Sequence, residues 1–166
     1  MGDGDSRLEY RPAGRADVGA LVDLRVEFMR IVKDRGLEDE ALWRAELSDR
    51  FARDLGSGEF VAWVCLDGAR LVAASGLACP ADRARRAELG LGGGEGLVLN
   101  MFTLGPYRRR GIASELLRRS AEEARARGLT ALRLQATDDG RPLYERAGFR
   151  GPGRDMVLDL RPAAGL

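Results

Sequence analysis

The sequence predicts an α/β (α+β) fold, a sheet covered by helices on both of its faces. Three features predict it. Residues 60–66 and 71–78 are apolar segments about Asp67-Gly68, a turn pair that reads as the tip of a hairpin. The first of these strands is apolar on both faces, with Phe60, Ala62, Val64 and Leu66 against Val61, Trp63 and Cys65, so both faces need cover. Elsewhere, over 17–32, 38–55 and 112–128, apolar residues recur at helical spacing.

The elements follow in order. A first strand is expected over 8–11 and a helix over 17–32, with Val18, Leu21, Val22, Phe28 and Val32 near one face. A second helix is expected over 38–55, opened by acidic residues that suit its dipole and with Leu42, Leu47, Phe51 and Leu55 inward. After the hairpin, 79–96 reads as a loop rich in charge and glycine. A fourth strand over 97–104 is bounded by Gly96 and Gly105-Pro106. The third helix starts at Ile112, carries Leu116, Leu117, Ala121 and Ala124 on one stripe, and stops at Gly128. A fifth strand over 130–136 leads to a short helix over 142–147 with Pro142 in its first turn, stopped by Gly148. Two further strands, 149–150 and 156–160, bring the number to seven. The domain is expected to be single, over 8–160, with flexible termini at 1–7 and 161–166.

Composition narrows the function. A net charge of +1 lacks the basic excess of a dedicated nucleic-acid binder. Arginine supplies every basic residue except Lys33, a bias that coding composition explains. The chain has no histidine, and Cys65 and Cys79 have no metal or disulfide-framework spacing, so no metal is expected. No apolar run reaches membrane length, and the acidic start Met1-Gly2-Asp3-Gly4-Asp5 is unlike a signal peptide, which leads to a cytoplasmic expectation.

The chemistry concentrates around Arg108-Arg109-Arg110-Gly111-Ile112-Ala113, where a strand ends, the chain turns and a helix begins. A helix start leaves N–H groups unpaired and carries partial positive charge, which together attract an anion. Gly111 and Ala113 would admit a bulky diphosphate close to the backbone, and the arginines strengthen the field. No Gly-Lys-Ser/Thr follows, and the three-glycine dinucleotide fingerprint is missing. The remaining pattern, R-x-x-G-x-A between strand and helix, resembles the acyl-CoA pyrophosphate loop of the GNAT acetyltransferase superfamily. Downstream, Leu143-Tyr144-Glu145-Arg146-Ala147-Gly148-Phe149 is similar to that family's second motif, and Tyr10-Arg11-Pro12-Ala13 with the helix after it resembles the family's first strand and helix. The likeness runs over about residues 8–160.

The resemblance implies a mixed, mostly antiparallel twisted sheet, splayed between strands four and five. It implies direct transfer of acetyl from acetyl-CoA, as co-substrate, to an amine in a ternary complex. Tyr144 takes the position of the tyrosine beside the CoA sulfur, where it would protonate or orient the leaving thiolate. The backbone of Met101, Phe102 and Thr103 takes the place that holds the pantetheine arm and faces the thioester oxygen. The amides of Arg109, Arg110, Gly111, Ile112, Ala113 and Ser114, opened by Arg108, take the pyrophosphate. Two departures stand out. Pro106 lies two residues before Arg108 rather than three, and Asp138 and Asp139 stand where relatives carry a CoA-contacting asparagine.

The general base is less legible. Glu95, Glu27 and Glu59 are the candidate carboxylates, and Asn100, polar in an apolar strand, either faces the cleft or satisfies a strand edge. Without histidine, the proton must leave through a carboxylate, a tyrosine or water. The acceptor side would be lined by Phe28, Met29, Val32, Leu37, Trp43 and the 79–96 loop, which spell no acceptor code. The leading reading is an acetyltransferase acting on a small-molecule primary amine, with homodimerisation left open. A protein or peptide N-acetyltransferase and a catalytically idle CoA-binding regulatory module stand beside it.

Overall fold

The computed structural model describes residues 7–33 and 38–163. Its centre is a six-stranded sheet in the order β1 (Leu8–Pro12), β2 (Phe60–Asp67), β3 (Arg70–Ala78), β4 (Glu95–Thr103), β5 (Ala131–Gln135) and β6 (Asp155–Asp159). All neighbours are antiparallel except β4 and β5, which run parallel. The helices are α1 (Val18–Lys33), α2 (Glu40–Ser57), α3 (Arg83–Glu88), α4 (Ile112–Ala126) and α5 (Arg141–Arg146).

The two faces of the sheet carry different cores. Helices α1 and α2 cover one face, with Leu21, Val26, Leu47 and Phe51 packed against Phe60, Ala62, Val64 and Phe102. Helix α4 covers the other. Its stripe of Ile112, Leu116, Leu117, Ser120, Ala121 and Ala124 is buried, as the helical period requires. Ser120 sits on that stripe without cost, because its hydroxyl donates to the Leu116 carbonyl at 3.0 Å and lies 3.3 Å from the Ser75 hydroxyl. Helix α5 joins this second face through Tyr144, which meets Phe149 edge-on at 5.9 Å.

Two irregularities shape the middle of the sheet. Between β3 and β4 the register slips: Ala74 faces Phe102 and Gly76 faces Leu99. Asn100 and Met101 therefore stand opposite Ser75 alone, and Asn100 takes a left-handed φ of 53°. The second irregularity is a parting. Strands β4 and β5 pair only from Glu95–Ala131 to Leu97–Arg133, and beyond that point they separate. The splay expected between strands four and five is present.

Four expectations are corrected. The seventh strand is a single bridge, Arg150 to Val157, because Gly148, Gly151 and Gly153, all at positive φ, turn the chain on either side. The segment 79–96 is not all loop. Asp82 caps helix α3 by accepting from the Arg85 N–H at 2.8 Å, and Arg86 binds the carbonyls of Pro80 and Ala81. Val32 and Leu42, expected inward, are exposed, because their stripes run past the region the sheet covers. Helix α2 begins at Glu40 rather than 38, after Asp39 in a left-handed conformation. Of the tails expected to be flexible, 1–6 and 164–166 lie outside the described residues, and Arg161 is tied to Asp159 at 2.5 Å.

Gly76 makes the bulge geometry feasible. A Cβ there would meet the buried Phe60 ring at 2.8 Å and the Leu99 carbonyl at 3.1 Å. Gly76→Ala is therefore expected to destabilise the fold by about 1–3 kcal/mol, read as a lower denaturant midpoint at unchanged slope. A second prediction concerns pH. Arg118 and Arg119 hold the Glu115 carboxyl at about 2, from an ordinary 4.5, with burial opposing them. A depressed folded-state pKa stabilises fully above the ordinary value and loses that contribution as pH falls toward the folded one. Glu115→Gln should lower Tm by about 1–3 °C near neutral pH, since exposed pairs are weak. That difference should shrink below pH 4.5 and vanish near pH 2.

Candidate active site

Where β4 leaves β5, a cleft of about 640 Å³ opens. Its lining comes from both faces of the sheet: Arg25 and Phe28 of α1 on one side, Tyr144 of α5 and Thr137 on the other, with Leu97–Met101 of β4 between them. The cleft is thus lined from both faces of the sheet. Arg108 to Gly111 lie between the end of β4 and α4, and Ile112 to Ser114 form the first turn of α4; none of them lines the cleft.

The loop before α4 leaves backbone donors open. After a turn at Gly105–Tyr107, Arg109 and Gly111 take left-handed φ of 61° and 78°. Gly111 is the N-cap of α4 and offers no side chain to the helix start. The first amide there with a backbone partner is that of Glu115, donating to the Gly111 carbonyl at 3.1 Å. The N–H groups of Ile112, Ala113 and Ser114 have no backbone partner among the described residues, as at the unpaired start of any helix. The three arginines divide the work. Arg108 folds back, donating to the Thr103 carbonyl at 3.0 Å and lying 5.4 Å from the Phe102 ring, so it braces the turn. Arg110 rests over Tyr107 at 5.4 Å, and Tyr107 in turn donates to Asp67 at 2.7 Å. Arg109 and Arg110 are exposed and direct their charge outward.

Tyr144 is buried to its ring, yet its hydroxyl makes no hydrogen bond within the protein among the described residues. Burial pushes its pKa above the ordinary tyrosine value, so the group stays protonated and can donate. Gly140 makes room for the ring: a Cβ there would stand 3.1 Å from it. Asn100 also lines the cleft, and its left-handed backbone turns it out of the regular pleat. Met101 lines the cleft as well. Phe102 is buried beneath Phe28, ring to ring at 5.6 Å, and Thr103 is buried with its hydroxyl unpartnered.

The three carboxylates singled out as bases are not brought into the cleft. Glu95 accepts from Arg133 at 2.8 Å and from the Gly92 N–H at 2.7 Å, which holds its pKa below the usual carboxylate range. It pins the end of β4 that remains paired to β5. Glu27 is exposed on α1, and Glu59 accepts from the Ala81 N–H at 2.9 Å. The carboxylates lining the cleft are Glu88 and Asp155. Glu88 lies in the stretch expected to be loop, and only the capping signal of Asp82 could have placed it on a helix. Of the residues expected on the acceptor side, Phe28 lines the cleft, while Leu37 lies outside the described residues. Arg25 was missed, although its spacing from Leu21 and Phe28 puts it on the inward face of α1.

Among the described residues no three His, Cys, Asp or Glu gather where they could hold a metal ion, and no helix is long and apolar enough to cross a membrane.

Comparison with known proteins agrees with this architecture. The model of the acetyltransferase (GNAT) family matches residues 20–149. No curated protein matches the chain. Among solved structures, a predicted acetyltransferase from Clostridium acetobutylicum, crystallised with acetyl-CoA, is 28% identical with a TM-score of 0.68, covering 87% of this chain and 90% of that one. A GCN5-related N-acetyltransferase from Ralstonia eutropha is 25% identical with a TM-score of 0.73, covering 95% and 99%. An N-acetyltransferase from Thermoplasma acidophilum, solved with coenzyme A, shares the fold at 15% identity and a TM-score of 0.69, covering 90% and 96%. With the family model spanning most of the sheet, the cleft and the loop before α4, this chain belongs to the GNAT acetyltransferase family.

Proposed function

We propose that this chain transfers the acetyl group of acetyl-CoA to a primary amine of a small molecule, by direct attack within a ternary complex. The observation that carries the reading is the cleft where β4 leaves β5, lined from both faces of the sheet, with an uncapped helix start following the far end of β4. The loop 108–114 binds the diphosphate through the amides of Ile112, Ala113 and Ser114 and the field of Arg109 and Arg110. The pantetheine arm then runs along the unpaired edge of β4, where Met101 lies, and brings the thioester beneath Tyr144.

The acceptor nitrogen, once neutral, attacks the thioester carbon. The C–N bond forms, the carbonyl closes again as the C–S bond breaks, and the thiolate takes a proton. Most of the acceleration comes from holding the two reactants together, an effect that can supply roughly 7–11 kcal/mol. A tyrosine whose pKa is pushed up by burial is a weak acid, so the hydroxyl of Tyr144 serves chiefly to hold and orient the sulfur. Deprotonation of the amine runs through water in the cleft, with Glu88 and Asp155 as its acidic neighbours.

Two outcomes test this. At Gly111 a Cβ has open space around it, so aspartate fits there and places a negative charge where diphosphate would lie. Gly111→Asp should fold, with a strain of about 1 kcal/mol, and lose CoA affinity by about tenfold or more in calorimetric titration. CoA binding at wild-type strength would overturn the loop assignment. Tyr144→Phe should leave Tm and CoA affinity unchanged, since its hydroxyl has no protein partner, while kcat falls by about tenfold in a thiol-release assay. Wild-type kcat in that variant would reduce Tyr144 to packing.

A further inference from the structure

Among the described residues, Arg25 is the one charged group lining the cleft that has no polar partner. The other four are engaged. Arg133 is paired with Glu95 at 2.8 Å, and Arg154 donates to the Ala136 carbonyl at 3.2 Å. Glu88 accepts from Arg85 at 3.1 Å, and Asp155 accepts from Gln135 at 3.2 Å. Arg25 has neither an ion pair nor a hydrogen bond among the described residues, and its guanidinium stands 5.1 Å from the centre of the Phe28 ring. The charged side chain closest to it in effect is Arg50 of α2, of the same sign. A half-buried cation beside another cation is costly unless something anionic meets it.

The position is equally specific. Arg25 borders both the cleft and a small apolar pocket beside it, with Phe28 and Asn100 bordering both as well. Asn100 has no side-chain hydrogen bond among the described residues, so an amide donor and an amide acceptor stand free there. Both residues lie toward the α1/α2 face, whereas the anion site for the diphosphate lies at the start of α4, which covers the opposite face. Arg25 is therefore placed for the acceptor.

We propose that the acceptor carries a carboxylate besides its amine, and that Arg25 binds this carboxylate while Asn100 aligns it. The proposal rests on the acetyltransferase reading and narrows its substrate to amino acids and compounds built like them. The planar guanidinium fork matches a carboxylate in two parallel hydrogen bonds, and Arg50 adds to the attractive field. Phe28 and the apolar residues of β4 receive the remainder of the molecule. Arg25 acts in specificity: it holds the acceptor and takes no part in the proton or acyl transfer.

The test compares the common amino acids with their carboxamides as acceptors, each with acetyl-CoA, in a thiol-release assay. In the wild type, kcat/KM for the preferred amino acid should exceed that for its amide by about 10- to 100-fold, the scale of one charge-assisted hydrogen-bonded contact. Arg25→Gln should abolish that ratio by raising KM for the acid, while the KM for acetyl-CoA and the rate on the amide change by far less. Arg25→Lys, which keeps the charge without the fork, should restore part of it. A preference for acids that survives Arg25→Gln, or acceptors used without any such preference, would overturn the proposal. If no amine releases thiol, the catalytic reading fails and the subsite is read by binding instead. CoA-loaded protein is then titrated calorimetrically with N-acetyl amino acids and their amides. Acid-selective binding lost in Arg25→Gln sustains the subsite, and equal or absent binding of the acids at millimolar concentration removes it.

Discussion

The structure turns on the parting of β4 from β5. Two parallel strands that stayed paired would close the sheet and leave no passage between its faces. Here pairing lasts from Glu95–Ala131 to Leu97–Arg133 and then stops. The closed end is pinned by the ion pair of Glu95 with Arg133 and by the Gly92 N–H on the same carboxylate. Beyond it β4 stays bound to β3, while β5 pairs with β6 and packs under the core that α4 and α5 share. Each strand is thus held by its own outer neighbour, and an unpaired strand edge, normally a liability, is enclosed as the wall of a cleft. The bulge at Asn100 belongs to the same device, because it turns a polar residue out of the pleat at the mouth of the opening.

Electrostatics on the two sides of that opening serve different ends. On one side the charge is largely a property of the backbone: three amides at the start of a helix without a side-chain cap, which costs helix stability that a Ser or Asp cap would have supplied. In the proposed function this open helix end takes the diphosphate, and the exposed arginines before it extend its field. On the other side the charge is a single side chain, Arg25, set among apolar neighbours where a local field is little screened. Carboxylates near the site are mostly absorbed by arginines. Of the glutamates most visible in the strand and helix pattern, Glu95 is taken up by Arg133 and Glu59 by the Ala81 N–H, while Glu27 is exposed away from the cleft.

Much of this was legible in the chain itself. The hairpin about Asp67-Gly68, the stripe of α4 and the Gly111 turn are local patterns, and each formed as its periodicity required. The same patterns misled where burial had to be inferred. Val32 and Leu42 continue apolar stripes and yet are exposed, because a stripe records which face could be buried, not how far the partner surface extends. Residues 149–150 have strand character but lie between glycines at positive φ, and make one bridge instead of a ladder. Helix α3 is short, and its Asp82 cap was hidden in a run of charge.

The sequence by itself determined the order of the longer strands and helices, the glycine turn before α4 and the tyrosine motif, since these depend on residues close together in the chain. Tertiary structure decided which residues meet in the cleft. Glu95 and Asn100 are five residues apart on one strand; the first is drawn into a pair with Arg133 from β5, and the second is turned outward by a bulge whose partner lies on β3. Arg25 reads locally as an arginine on an amphipathic helix, and its isolation depends on what every neighbouring element fails to offer it. Such properties are sums over contacts between distant segments, and no local period encodes them.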